Sequence, residues 1–452
     1  MEKKSDGLSR RKFIGNSAAA AALITVVPRH VLGGKGYIPP SDKLNIAAIG
    51  SGGMGAGNIN QVASENIVAL CDVDFNQAAK TFEKFPKAKQ YKDFRVMLEK
   101  EKDIEAVIVA TPDHTHAVSA MMAIKLGKHV YVQKPLTHSI FEARKLTEAA
   151  REYKVMSQMG NQGRSGDGVR ELSEMIWDGV IGDVHEVHSW TNRPVWPQGI
   201  GRPVETPPVP KHLDWDLWLG PAPNRPYNPA YLPFNWRAWL DFGCGALGDM
   251  GCHILDPPFF ALKLRYPDSV QGSHSWEVVE MWKRVDNKET YPSASHVQYT
   301  FPKRGKMPAL KLNWYDGGIL PIWPDLFKAD TKIPTSGTIF IGKKGVIMCE
   351  TYGGNVQLFG KDKGDKYKAP KQTIPRITTS HEMDWVRSCK DGKAACSNFD
   401  YSGPLTEMVL MGNLSMFVPG TKLLWDGEKM KVTNNEKANS YIQREYREGW
   451  SL

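Results

Sequence analysis

What this 452-residue chain has little of narrows its identity first. Its six cysteines include no C-x-x-C pair, so neither a disulfide scaffold nor a thiol-ligated metal knuckle organises it. The apolar run from Ile14 to Val27 falls short of the roughly 18 residues that would cross a bilayer. No cysteine stands beside that run to carry a lipid, so no membrane anchor is expected. Charge of one sign is also thin. The net charge is +9, but the first 34 residues hold six Lys/Arg against two Asp/Glu, which leaves about +5 for everything that follows. The lysines from Lys361 to Lys371 are broken up by Asp and Gly and read as solvated surface, so no nucleic-acid partner is expected. No internal repeat is visible.

What is present begins with a leader. Arg10, Arg11, Lys12 and Phe13 precede the apolar run, the charged-then-apolar layout of an export signal. The paired arginines of residues 1–34 resemble the twin-arginine class of export signal, whose cargo folds before it crosses; an ordinary basic N-terminus is the plainer alternative. The expected destination is the periplasm. The rest is long enough for two substantial cores.

From residue 41 to 160 short β-rich runs (LNIAAI, IVALC, IEAVIVA, HVYV, VMSQM) alternate with amphipathic stretches such as HAVSAMMAIKLG and SIFEARKLTEAAREY. That alternation predicts βαβ units in a parallel sheet, an α/β doubly wound (Rossmann) domain. Cys71, at the end of the second run, reads as a buried thiol. From residue 161 to 452 the texture changes to longer strand-like runs (DVHEVHSWTN, SHVQYTF, ALKLNWY, TIFIG) without regular helical spacers. This predicts an α+β substrate-binding domain built on a mostly antiparallel open sheet. The Pro- and aromatic-rich segment 194–233 is expected to be a long ordered loop.

Three constellations carry chemistry. In GSGGMG, Gly50, Gly52 and Gly55 follow a predicted strand at G-x-G-x-x-G spacing, and Asp72 closes the next strand 20 residues after Gly52. The glycines permit a tight turn, approach of a pyrophosphate and close helix packing, while Asp72 would accept ribose hydroxyls and repel a 2′-phosphate. Tightly bound NAD, rather than NADP, is therefore the expected cofactor, held by Gly50, Gly52, Gly53, Met54, Gly55 and Asp72. Next, ATPDHTHA and VQKP end two predicted parallel strands, where ligands collect. They add Thr111, Pro112, His116 and Lys134, with Gln162 just beyond the last strand of the domain. A lysine followed by proline is equally compatible with a surface ammonium. Third, in GCGALGDMGCHILD, Asp249 and His253 stand four apart and share a face if the segment is helical. They suit a carboxylate–imidazole pair acting on one hydroxyl, a metal-ligand pair, or a capping aspartate with a packed histidine. No H-E-x-x-H partner accompanies them, and no metal is expected.

Taken together, GSGGMG, ATPDHTHA, VQKP and D-x-x-x-H resemble the glucose-fructose oxidoreductase and inositol dehydrogenase family (Gfo/Idh/MocA) over nearly the whole chain after the leader. The resemblance implies that Lys134 and His253 act on a substrate hydroxyl, with Asp249 in the same motif; His253 is expected to be the base, Lys134 to hydrogen-bond the developing alkoxide, and Asp249 to orient or to bind the substrate. Gln133 replaces the family's usual glutamate before the lysine. NQGRSG, HLDWDLWLGPAP and FNWRAWLDFGCGALGDMGCHILD, with the leader, resemble an exported branch found in polysaccharide-degrading bacteria. Asn161, Gln162 and Arg164 are expected to line the cleft. Eleven of the 14 tryptophans lie between Trp177 and Trp323. Trp196, Trp215, Trp218, Trp236 and Trp239 sit in loop-like surroundings; core packing is the commoner role for any one of them, but as a set they favour a sugar.

The expected function is an exported NAD-dependent oxidoreductase acting on a sugar or glycoside hydroxyl, as a homo-oligomer. Two alternatives use the same residues: an NAD-dependent glycosidase working by oxidation, elimination and reduction, and a non-catalytic sugar-binding protein.

Overall fold

The computed structural model describes residues 42–284, 288–360 and 367–452; the expected leader, residues 1–34, and part of the 361–371 lysine stretch lie outside them. Six strands form the first sheet: β1 (Asn45–Ile49), β2 (Asn66–Cys71), β3 (Lys89–Tyr91), β4 (Ala106–Val109), β5 (His129–Val132) and β6 (Ser157–Met159). They lie in the order 3-2-1-4-5-6, with every neighbouring pair parallel. This is the doubly wound layout expected, with the order reversing between β1 and β4, where ligands bind. β3 was not foreseen, because its three residues, KQY, show neither alternation nor apolar character. The helix Ile140–Glu152 starts at a capping box: Ser139 Oγ accepts from Glu142 N, and Glu142 Oε2 accepts from Ser139 N, so two otherwise unpaired N–H groups are satisfied.

The second sheet has nine strands. β7 (Val184–Trp190), β8 (Ser269–His274), β11 (Ser295–Phe301), β12 (Leu310–Tyr315), β13 (Gly337–Gly342), β14 (Gly345–Glu350), β15 (Gln357–Phe359), β16 (Leu423–Asp426) and β17 (Lys431–Val432) run in the order 15-14-13-7-12-11-8-16-17, while β9 (Val278–Glu280) and β10 (Lys283–Arg284) form a separate hairpin. Only β7 and β12 pair in parallel; the other pairs are antiparallel. The long helix Phe399–Met416 packs across β8 and β11 and against the helices Ile140–Glu152 and Gly245–Ile254, joining the two sheets.

Two features depart from the sequence-based expectation. The chain does not stay in the second half after residue 160: the helix His381–Asp391 returns to the first sheet, where Trp385 and Val386 join Ile46, Ala48, Ile108 and Tyr131 in one buried cluster. The tryptophans of segment 194–239 are mostly interior. Trp196, Trp218, Trp236 and Trp239 pack with Tyr231 and Phe242 into a small aromatic core, with Trp215 at its edge. Burial of that much ring surface organises an otherwise irregular segment, whose one helix between 194 and 233 is Trp215–Leu219. They therefore give no support to a sugar-stacking platform.

Candidate active site

The glycine loop joins β1 to the helix Gly53–Gln61. Gly50 has φ +84°, and a Cβ there would lie 2.5 Å from Ala110 O; a Cβ on Gly55 would lie 2.0 Å from Gly50 O. Both positions exclude larger residues, and this packing draws the loop against Thr111 at the end of β4. Gly52 caps the helix without any side-chain hydrogen bond, and no acidic residue occupies the first turn. Gly53 has open space where a Cβ would be, and Met54 is exposed. A helix start that is unshielded by side chains and has room beside it suits a pyrophosphate. Asp72 Oδ2 accepts from Ser51 N and Gly52 N, at 2.8 and 3.2 Å, and Oδ1 accepts from Asp74 N at 2.9 Å. Burial raises its pKa and these three bonds oppose the rise. A carboxylate offers about four acceptor positions, so the residues present fit NAD.

His116 is placed differently from the expectation of a cofactor ligand. Its ring is buried, Nδ1 lying 2.9 Å from Pro135 O and Nε2 2.9 Å from Thr111 O. Burial pushes its pKa down to about 4. Both nitrogens face carbonyls, so the ring acts as a brace between Thr111 and the turn that carries Lys134. Thr111 itself accepts from Thr115 Oγ1 at 2.7 Å, and Pro112 caps the helix Asp113–Lys125. Gln162 is exposed in the turn after β6. Asn161 is buried and accepts a bond from Ser397, whereas Arg164 is buried with its guanidinium 3.5 Å from the Phe260 ring centroid, so neither has the cleft-lining position expected of it.

Lys134, Asp249 and His253 do converge. The segment Gly245–Ile254 is helical, which sets Asp249 and His253 one turn apart. Lys134 Nζ donates to Asp249 Oδ1 and to Asp249 O, both at 2.9 Å. Lys134 is thus neither a surface ammonium nor an isolated one. His253 is buried, with its ring edge-on to Tyr352 at 5.1 Å and Nδ1 lacking a hydrogen-bond partner. Burial first, then the neighbouring Lys134 charge, pushes its pKa down to about 3, so the imidazole is neutral at pH 7 and keeps a lone pair. Lys134 and Arg237 hold Asp249 well below the usual carboxylate range against the cost of burial. A carboxylate so engaged by cations is a poor metal ligand.

Gln133 explains its own departure from glutamate. Its Nε2 donates to Asn58 Oδ1 at 2.9 Å, and Asn58 Nδ2 donates to Glu382 Oε1 at 2.8 Å. A glutamate would lack that donor and would bring a second buried carboxylate towards Glu382.

The structure also brings in residues that sequence reasoning missed. Arg237 Nε donates to Asp249 Oδ1 at 3.1 Å, and Arg193 Nε lies 3.6 Å from Asp249 Oδ2. Asp113 accepts from Cys244 N at 3.1 Å, capping from outside the helix that carries Asp249 and His253. Burial pushes Asp113 up to about 7 despite the nearby Arg237 and Lys134. Arg237 lies within FNWRAWLDFG and Asp113 within ATPDHTHA; a charged residue inside a motif already tied to the site was the available signal.

Comparison with known proteins agrees with this layout. A profile described as an oxidoreductase family, NAD-binding Rossmann fold, matches residues 44–161. A second, described as the C-terminal alpha/beta domain of an oxidoreductase family, matches residues 170–292. An inositol 2-dehydrogenase of Salmonella paratyphi B is 30% identical over 151 residues, 32% of this chain and 45% of that protein. One from Gluconacetobacter diazotrophicus is 30% identical over 183 residues, 39% of this chain and 54% of that one. The chain thus spans about half the length of these curated relatives. Among solved structures, an inositol dehydrogenase homolog from Azotobacter vinelandii, complexed with NADH and myo-inositol, superposes with a TM-score of 0.55 at 16% identity, covering 85% of this chain and 98% of that one. A levoglucosan dehydrogenase in complex with NADH gives a TM-score of 0.56 at 16% identity over 83% and 98%. These establish the likeness of fold.

Proposed function

We propose that this chain, which belongs to the Gfo/Idh/MocA family of oxidoreductases, is an NAD-dependent dehydrogenase that oxidises a CH–OH group of a sugar or polyol. The observation that carries the proposal is the convergence of Lys134, Asp249 and His253 beside the glycine loop. Gly50, Gly52, Gly53, Met54, Gly55 and Asp72, with Thr111, Pro112 and Gln162 beyond, would hold the cofactor. NAD, when bound, supplies the hydride acceptor. Neutral His253, whose Nδ1 has no hydrogen-bond partner among the described residues, takes the proton of the substrate hydroxyl. Lys134 Nζ, held by Asp249 Oδ1, donates a hydrogen bond to the oxygen as its negative charge develops. Asp249 fixes the ammonium and makes the site favourable for it.

Residues 1–34 direct export by the twin-arginine route in this reading, and the protein acts on carbohydrate outside the cytoplasm. The exposed Trp276, Val278, Val279, Met281 and Trp282 around the β9–β10 hairpin motivate a homo-oligomer in solution.

The test is a panel of free sugars, polyols and glycosides added to NAD-loaded protein while the nicotinamide absorbance is followed. Reduction of the cofactor with a keto product and an intact glycosidic bond is expected. Lys134→Ala and His253→Ala should each lower kcat by about 10² or more. Release of an aglycone without net oxidation would instead identify a glycosidase, and no reduction by any member of the panel would overturn the proposal.

A further inference from the structure

The charge around Asp249 does not balance. Lys134, Arg193 and Arg237 all place a nitrogen within 4 Å of this one carboxylate. Their side chains are only 13%, 30% and 20% exposed, so water screens them weakly. Lys134 alone would neutralise Asp249. The second nearby carboxyl, Asp113, is only partly ionised at neutral pH, and His253 carries no charge there. The site therefore holds a surplus of positive charge, and burying unpaired charge is costly unless something arrives to pair it.

The geometry of the two arginines says what that is. Arg193 Nε is buried and lacks a hydrogen-bond partner; among the described residues this side chain makes one bond, from Nη1 to Asn192 Oδ1. Arg237 uses Nε on Asp249 and Nη1 on Phe234 O, and Nη2 makes no bond among the described residues. Its guanidinium is fixed between rings, 4.3 Å from the Phe234 centroid and 4.2 Å from that of Trp236. A planar guanidinium with unused N–H groups, held in place by stacking, is pre-organised for an oxyanion. Both arginines, like Asp249, lie in the chain beyond Met159, the end of the first sheet's last strand, whereas the glycine-loop helix start suited to the cofactor's pyrophosphate follows that sheet's first strand. The surplus charge therefore serves the substrate.

We infer that the substrate is an anionic sugar, one whose carboxylate or ester sulfate is bound by Arg193 and Arg237 while its reacting hydroxyl lies at Lys134. This rests on the reading of the site as that of a sugar oxidoreductase. The two anion sources share the oxyanion that the guanidiniums recognise, and they are separated by experiment.

The experiment measures binding to NAD-loaded full-length protein by calorimetry, using matched pairs: glucuronate against glucose, methyl galacturonoside against methyl galactoside, and glucose 6-sulfate against glucose. At least one acidic member should bind about tenfold or more tightly than its neutral partner, as charge-assisted hydrogen bonds predict, and the margin should shrink as salt is raised. The ratio should collapse towards one in Arg193→Met and Arg237→Met, and survive in part in the Lys replacements, whose folding is checked by thermal melts. A uronate preference identifies the carboxylate, and a sulfate preference the ester. Equal or weaker binding of every acidic member, no measurable binding of any, or a preference that persists in both Met variants would overturn the inference. Cofactor absorbance is read in the same samples. Neutral sugars that reduce the cofactor without any acid preference remove this inference and leave the dehydrogenase standing. Acid-selective binding with no reduction by any sugar does the reverse.

Discussion

At Asp113, burial outweighs the attraction of Arg237 and Lys134 and pushes the carboxyl pKa up to about 7 from an ordinary value of 3.8. The folded protein therefore keeps a proton that the unfolded chain releases. Asp113's contribution to stability falls as pH rises from about 4 and levels off above about 7. Asp113→Asn carries no such cost and still offers an oxygen to Cys244 N. Relative to the parent, the variant should gain nothing near pH 4 and about 4 kcal/mol at pH 8, a difference read from denaturant melts at the two pH values. An equal effect at both would show that the carboxyl does not titrate there. The same residue marks how far the sequence could be read. Lys134, Asp249 and His253 stand in linear motifs whose spacing implies their chemistry. The charge balance among Asp113, Arg193 and Arg237 depends on three segments meeting in space, which spacing alone does not encode. His116 was misjudged for a related reason: a histidine beside a site looks the same in sequence whether its ring faces a ligand or two backbone carbonyls.

At the scale of elements, parallel strands were legible wherever an apolar run was long enough to be buried on both faces, as in β1, β2 and β4. Short edge strands such as β3 were not, because their backbone pairing asks little of their side chains. Contacts between distant helices left no trace either. Arg144, on Ile140–Glu152, makes a double bridge to Glu407, on Phe399–Met416: Nε to Oε1 at 2.8 Å and Nη2 to Oε2 at 2.7 Å. Glu407 is fully buried. Arg144→Met strands that carboxylate and should cost about 3 kcal/mol in a denaturation experiment. Adding Glu407→Gln should recover much of the loss, since no buried charge then lacks a partner. A single variant as stable as the parent would show that the bridge contributes nothing.

Over the whole molecule, fold and domain order were legible because the hydrophobic period changes near residue 160. The inward return of the chain end was hidden, since nothing in 381–391 says which sheet it will cover. The proposed export in a folded state would have a consequence at this scale: cofactor would have to be taken up before the crossing and kept. Protein expressed in the cytoplasm and purified by gel filtration should carry about one NAD per chain, detected in the supernatant after denaturation. Purified protein free of nicotinamide, with full occupancy recovered only at millimolar NAD, would remove retention from the proposal.

The helix His381–Asp391 also sets a clock. A ribosome finishes β6 some 220 residues before it makes Trp385, the residue that covers Tyr131 on the first sheet. At 5–20 residues per second that is a wait of roughly 10 to 45 s. During it the nascent first half has an uncovered apolar flank, and only the last sixth of the chain removes it. Release of a stop codon at residue 380 should therefore yield a chain that aggregates or stays with chaperones, whatever the state of its glycine loop. In the full-length protein, quality control placed at the carboxyl end reports on the nucleotide half at the other.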